Sequence, residues 1–255
     1  MTKTKETKVP NLYRGISILE FLAQNQCSAS IAELSERLGY PTASVFRITQ
    51  ELEQLGYLQR DPNNKRFSIT NKFLLLGQPQ GQRKSLVEGS IPALRALQKT
   101  TGETAQVCCL VEDKNVILEQ VISSHPFKYS AELGARCPAY SCAPGKAIIS
   151  LLPVEERKEL INRLKLKRFT QNTITSRKAF MEEIIAANSL GYAVDNAEGL
   201  EGIHCIAAAI VDRNEYPIGA LTIAGPAYRL PKSAFPEYGA LLMEAAAQTS
   251  ARLRH

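Results

Sequence analysis

The sequence predicts an α+β protein in two parts, and three observations carry that prediction. Apolar side chains recur at helical spacing through the first 55 residues, a hairpin pattern follows, and beyond a Gly/Pro/Gln-rich break the chain alternates strand-like and helical stretches. Three short helices and a hairpin make a winged helix-turn-helix. An antiparallel sheet flanked by helices accounts for the remainder.

The bulk numbers suit two cored domains: 255 residues, 44% hydrophobic and 22% charged. The opening MTKTKETKVP has no apolar run resembling a signal peptide, and nowhere do about eighteen uncharged apolar residues stand together. The expectation is a cytoplasmic protein without a membrane partner. Six cysteines (Cys27, Cys108, Cys109, Cys137, Cys142, Cys205) lack CxxC spacing, and three histidines (His125, His204, His255) are scattered. Neither pattern calls for zinc, a disulfide framework or any cofactor. The net charge is +6, and residues 1–75, with ten Lys/Arg against seven Asp/Glu, carry half of it. That asymmetry points to a polyanion at the N-terminal end.

Leu12, Ile16, Leu19 and Ala23 share one face of a first helix. Ser30 and Glu33 stand at capping-box spacing before Ile31, Leu34 and Leu38, and Gly39 can end that second helix in the left-handed conformation. Little more than Tyr40 and Pro41 separates it from a third helix with an apolar stripe at Val45, Ile48, Leu52 and Leu55. The other side of this third helix shows Thr42, Ser44, Arg47, Gln50 and Gln54, residues able to hydrogen-bond base edges and phosphates. Gly56 stops it. Leu58, Arg60, Phe67 and Ile69 then alternate about DPNN, with Lys65 and Arg66 giving the hairpin a basic tip. Thr42, Ser44, Arg47, Gln50, Lys65 and Arg66 are therefore the candidate contacts to double-stranded DNA. Lys3, Lys5 and Lys8 read as a solvated tail, with an arm along the DNA backbone as the alternative.

Gly77, Pro79 and Gly81 mark a break near Gln78 to Gln82. The implied division is 1–75 for the winged helix, 76–90 for a helical linker and 91–255 for the second domain. A helix from Lys84 or Ser85 toward Lys99 carries Leu86, Ile91, Leu94 and Leu97, with Pro92 threatening a kink. Strands are expected as a hairpin about EDKN and at Phe127 to Ala131, Ala193 to Asn196, Cys205 to Val211 and Ile218 to Ile223. Helices are expected at Gly145 to Leu152, Val154 to Leu164, Arg177 to Leu190 and Lys232 to Leu253. The six basic residues of RKELINRLKLKRF read as an exposed helix face.

The stretches "LYRGISILEFLA" and "SIAELSERLGYPTASVFRITQELEQLGYL", followed by "GARCPAYSCAPGKAIISLL", "GYAVDNAEGLEGIHCIAAAIVD" and "GALTIAGPAYRL", resemble the IclR (isocitrate lyase regulator) family of bacterial transcription factors over nearly the whole chain. The resemblance implies a DNA-binding regulator of a catabolic operon. It implies a GAF-like effector-binding domain and homodimers or homotetramers on palindromic operators. It also places a small carboxylate or related metabolite in a cup on the sheet. Polar contacts would come from Ala143 and Pro144, from Asp195, from Cys205 and from Thr222 and Ala224, with walls at Leu133, Cys137 and Ile203. Pro144 lacks an N–H and Ala224 lacks a hydroxyl, so the ligand should be less oxygen-rich at that end, or bulkier, than the smallest keto acids. Tyr140 and Tyr192 read as core.

Two other functions compete. One is a Cys-dependent hydrolase using Cys205 with His204 and Asp195, which strand alternation disfavours because neighbours point to opposite faces. The other is a thiol redox sensor built on Cys108, Cys109 or Cys142.

Overall fold

The computed structural model describes residues 9–24, 28–70, 72–73 and 85–254. The chain forms two compact units, the first ending at Gln78 and the second beginning at Pro79. The expected tail lysines and the break near Gln78 to Gln82 lie outside the described residues.

The first unit holds α1 (Pro10–Gln24), α2 (Ile31–Leu38), α3 (Thr42–Gln54) and an antiparallel hairpin, β1 (Leu58–Arg60) with β2 (Phe67–Ile69). The capping box forms: Ser30 Oγ accepts from the Glu33 N–H, and the Glu33 carboxylate accepts from the Ser30 N–H at 2.7 Å. Gly39, at φ +67°, ends α2 and lets α3 begin almost at once. Ile18, Leu22, Leu34, Val45, Leu58 and Phe67 form the core.

Two features of the apolar pattern correct the sequence reading. Leu12 and Ile16 are 63% and 49% exposed, so α1 buries the stripe Gly15, Ile18, Leu19 and Leu22 instead. Leu55 is also exposed. Helix α1 carries enough apolar residues for two stripes, and periodicity does not say which faces inward. Leu12 and Ile16 line a groove of about 390 Å³ between α1 and α3.

The second unit opens with α4 (Leu86–Thr101), which runs through Pro92. A six-stranded sheet follows in the order β5-β4-β3-β8-β7-β6, every pairing antiparallel. Its strands are β3 (Thr104–Val111), β4 (Lys114–Val121), β5 (Arg136–Pro138), β6 (Ala193–Asn196), β7 (Ile203–Val211) and β8 (Pro217–Pro226). Helices α5 (Ala143–Leu151), α6 (Val154–Arg163) and α7 (Arg177–Leu190) lie between β5 and β6, and α8 (Phe235–Arg254) closes the unit. The segment Phe127 to Ala131, expected as a strand, is irregular, and β5 takes the sheet edge in its place.

Alternation along the strands gives the sheet two unlike faces. Val107, Ile206, Ile210, Leu221 and Ile223 pack on Leu94, Leu97, Leu242 and Ala246 of α4 and α8. The opposite face offers Cys205, Ala207, Ala220 and Ala224 to Ala143, Ala147 and Ile148. Small side chains let α5 come close. A Cβ at Gly145 would overlap the Ala139 backbone, so this turn into α5 requires glycine.

Candidate nucleic-acid face and effector cavity

Helix α3 turns Thr42, Phe46, Arg47 and Gln50 to solvent. Thr42 Oγ1 lies 3.0 Å from Ser35 Oγ, which itself donates to the Tyr40 carbonyl, so hydroxyl contacts fix the turn between α2 and α3. Ser44 departs from the expectation. It is 5% exposed, and its Oγ accepts from Arg14 Nη1 at 3.0 Å, so it ties α3 to α1. Its place on the outer face is taken by Phe46, an apolar residue that could meet a thymine methyl and that a search for polar side chains passes over.

Lys65 is exposed at φ +58° in the wing turn, where Asp61 Oδ1 accepts from the Asn63 N–H at 2.8 Å. Arg66 does not face outward as expected. Its Nη2 donates to the Ser28 carbonyl at 2.7 Å and pairs with Glu33, and its Nε also reaches Ser28. It is a brace between the wing and the start of α2. Arg66→Ala should lower the thermal midpoint of this unit by a few degrees while leaving the salt dependence of DNA binding as it was. Calorimetry and binding titrations at several salt concentrations check both halves.

In the second unit a cavity of about 280 Å³ opens on the small-residue face of the sheet. Of the expected ligand contacts, Cys137, Pro144, Asp195, Ile203, Cys205 and Thr222 line it. Ala143 and Ala224 are buried in the neighbouring core and do not. Leu133 is 48% exposed and also lies off the cavity, because the stretch before β5 runs over the surface. Tyr129, Phe169 and Leu200 supply wall instead. They come from irregular segments whose position no periodicity encodes. Tyr140 is core: its ring lies 6.1 Å from Phe169, and its oxygen accepts from the Lys167 N–H at 2.7 Å.

The polar groups at the cavity are mostly spoken for. Thr222 Oγ1 donates to the Ile206 carbonyl at 2.8 Å, leaving only lone pairs for a ligand. Asp195 Oδ1 accepts from the Glu198 N–H at 2.6 Å, yet burial pushes its carboxyl up to about 7. Burial also raises Tyr129, so its phenol stays a donor. Behind Asp195, the fully buried Lys146 of α5 pairs with Glu198 at 2.7 Å and Glu183 at 3.0 Å. Burial works against its charge, but the two carboxylates outweigh it and hold its pKa above the ordinary lysine value. The sequence reading did not single out Lys146, although a lysine amid GKAII at a helix start was a signal.

The hydrolase arrangement is absent. His204 Nδ1 lies 2.7 Å from the Leu230 carbonyl and its ring packs on Phe235, away from Cys205, whose thiol burial holds well above its ordinary value. Of the redox candidates, Cys108 is buried and pushed up to about 12. Among the described residues no group of three or more His, Cys, Asp or Glu could hold a metal ion, and no helix is long and apolar enough to cross a membrane.

A winged helix with a polar outer helix, followed by a sheet domain with a ligand-sized cavity, defines a DNA-binding regulator with a small-molecule sensor. Residues 12–62 match the model of the IclR helix-turn-helix domain, and residues 81–251 match that of the bacterial transcriptional regulator IclR C-terminal domain. The chain is 31% identical to the HTH-type transcriptional regulator KdgR of Escherichia coli K12, over 96% of this chain and 93% of that protein. It is 28% identical to the transcriptional repressor IclR of the same organism, over 95% of this chain and 89% of the other. The Thermotoga maritima IclR crystal structure aligns with a TM-score of 0.68 at 28% identity, covering 96% of this chain and 99% of that one. The chain belongs to the IclR family of bacterial transcriptional regulators, a family of regulators rather than enzymes.

Proposed function

We propose that this chain controls a catabolic operon by binding a palindromic operator as a homodimer or homotetramer in the cytoplasm, with a small organic acid as effector. The observation that carries the DNA half is the outward set Thr42, Phe46, Arg47 and Gln50 on α3, with Lys65 beside it on the wing. Arg47 and Gln50 read base edges, and Lys65 holds phosphate. Arg47→Ala should weaken specific binding by about 1–3 kcal/mol, roughly tenfold to a hundredfold, without lowering the thermal midpoint. Selection from a random duplex pool followed by anisotropy titration measures this. Wild-type affinity in Arg47→Ala would remove α3 as the reading helix.

For the effector, the supporting chemistry is a cavity whose lining combines the carboxyl of Asp195, which keeps its proton up to about pH 7, with the basic residue Arg136. A protonated Asp195 and the Tyr129 phenol donate to a ligand carboxylate; an ionised Asp195 would repel it. Cys205 and Ile203 supply apolar contact, Thr222 accepts a ligand hydroxyl, and the N-terminal end of α5 favours negative charge. Ala143 and Ala224 shape the cavity from behind it. Thermal-shift screening of sugar acids, keto acids and aromatic carboxylates should find stabilisation larger at pH 6 than at pH 8. A ligand with the opposite dependence would not be read by Asp195.

The division 1–75, 76–90 and 91–255 gives the signal its route. Helix α4 begins at Leu86 within the proposed linker and buries Leu94 and Leu97 in the sensor core, which supports reading it as the element through which a change in the sheet is passed along the chain. An effector acts by binding one arrangement more tightly than another.

A further inference from the structure

Hydrogen bonds behind the cavity fix which atoms its polar side chains can offer a ligand. Gln120, on β4, is pinned by the backbone of Ala131: its Nε2 donates to the Ala131 carbonyl at 2.5 Å and its Oε1 accepts from the Ala131 N–H at 3.5 Å. The oxygen of that amide is therefore what meets Gln106 on β3, whose Nε2 donates to it at 3.1 Å. Gln106 is buried and lines the cavity, so the atom it has left to offer there is its carbonyl oxygen. It stands directly opposite Thr222 across β3 and β8, on the same face of the sheet. Thr222 donates its proton to the Ile206 carbonyl and Ser141 donates its own to the Pro138 carbonyl at 3.2 Å, so both present lone pairs.

Asn115, on β4, completes this set of acceptors. It lines the cavity at 2% exposed, its Nδ2 donates to Cys137 Sγ at 3.7 Å, and its Oδ1 is buried with no hydrogen-bond partner. An acceptor kept from water and left unpaired destabilises the free protein, and a donor entering the cavity would satisfy it. In the sheet order, Gln106 and Asn115 are separated by β8 and β7 from Asp195 on β6.

We propose that the cavity selects a hydroxylated acid over its deoxy counterpart, with Gln106 and Asn115 as the acceptors that read ligand hydroxyls at the β3–β4 end. The assignment rests on the reading of this cavity as the effector site, with the ligand carboxylate toward Asp195. A hydroxyl that donates to Asn115 Oδ1 makes a bond the free protein lacks, so it gains more there than a methylene of similar size. A plain aliphatic acid leaves both carbonyls unpaired and further from water, and that mismatch is the source of discrimination.

The test uses matched probes of equal carbon number, D-gluconate with hexanoate and L-threonate with butyrate, added to the full-length protein near pH 6 and followed by thermal shift and titration calorimetry. At least one hydroxylated probe should bind roughly tenfold more tightly than its deoxy partner. Asn115→Leu, close to isosteric, should reduce that preference about tenfold and leave the ligand-free protein at least as stable as before, because it removes an acceptor that had no partner. Gln106→Met, which has the same reach and leaves Gln120 on Ala131, should reduce the preference as well. Equal binding within both pairs, an undiminished preference in either variant, or a lower thermal midpoint for ligand-free Asn115→Leu overturns the proposal. Operator affinity unchanged by a selectively bound probe would overturn the effector reading instead, with the selectivity intact.

Discussion

Lys146→Ala should destabilise the sensor unit by about 3–5 kcal/mol, a large share of what an ordinary domain possesses, and much of the protein should become insoluble. The reason is what the substitution leaves behind. Lys146 is fully buried and supplies the positive charge opposite Glu198 and Glu183, and Glu198 Oε2 is already without a partner. Removing the ammonium strands buried carboxylate, which costs more than the pair contributes when whole. The control is a triple substitution, Lys146→Met with Glu183→Gln and Glu198→Gln, which removes all three charges and should recover most of the loss. Urea unfolding followed by circular dichroism measures both. A stable single variant would show that water reaches these carboxylates.

Asp195→Asn should give the second large effect, seen as a change in how stability depends on pH. An aspartate ordinarily titrates at 3.8, and burial pushes this one up to about 7 in the folded chain. Below about pH 4 both states hold the proton and the site contributes fully. Between about 4 and 7 the unfolded chain has lost its proton while the folded chain keeps it, so stability falls as pH rises. The loss is on the order of 4 kcal/mol and is complete just above pH 7. An asparagine side chain does not titrate, so the variant should lack that decline and be the more stable protein at pH 8. Matched unfolding curves at pH 5 and pH 8 decide it. The same shift makes Asp195 costly to the fold, which is understandable if the residue is retained to donate to a ligand.

Both effects lie in a part of the molecule that the sequence disclosed unevenly. Local rules were legible: Ser30 with Glu33, Gly39 and the alternation of β7 and β8 each encode their own geometry within a few residues. Face assignments were less so. Helical arithmetic puts Ser44 on the polar side of α3, but only the approach of Arg14 decides that its hydroxyl is turned inward. Arg66 looked basic and exposed until the Ser28 carbonyl and Glu33 claimed it. In the cavity, Asp195, Cys205 and Thr222 came from motif resemblance, and strand alternation put Thr222 on the right face. Tyr129 and Phe169 could not be found that way, since they arrive on irregular chain. Lys146 needed the fold, because Glu183 and Glu198 lie far along the sequence.

The central claim is that occupation of the sensor cavity changes the affinity of α3 for DNA. The direct measurement is anisotropy titration of the selected operator duplex with and without the ligand that most stabilises the protein, repeated in Asp195→Ala, which removes the proposed donor. Operator affinity should shift by about fivefold to a hundredfold in the natural chain, and much less in the variant. Identical operator affinity with the cavity filled and empty would contradict it.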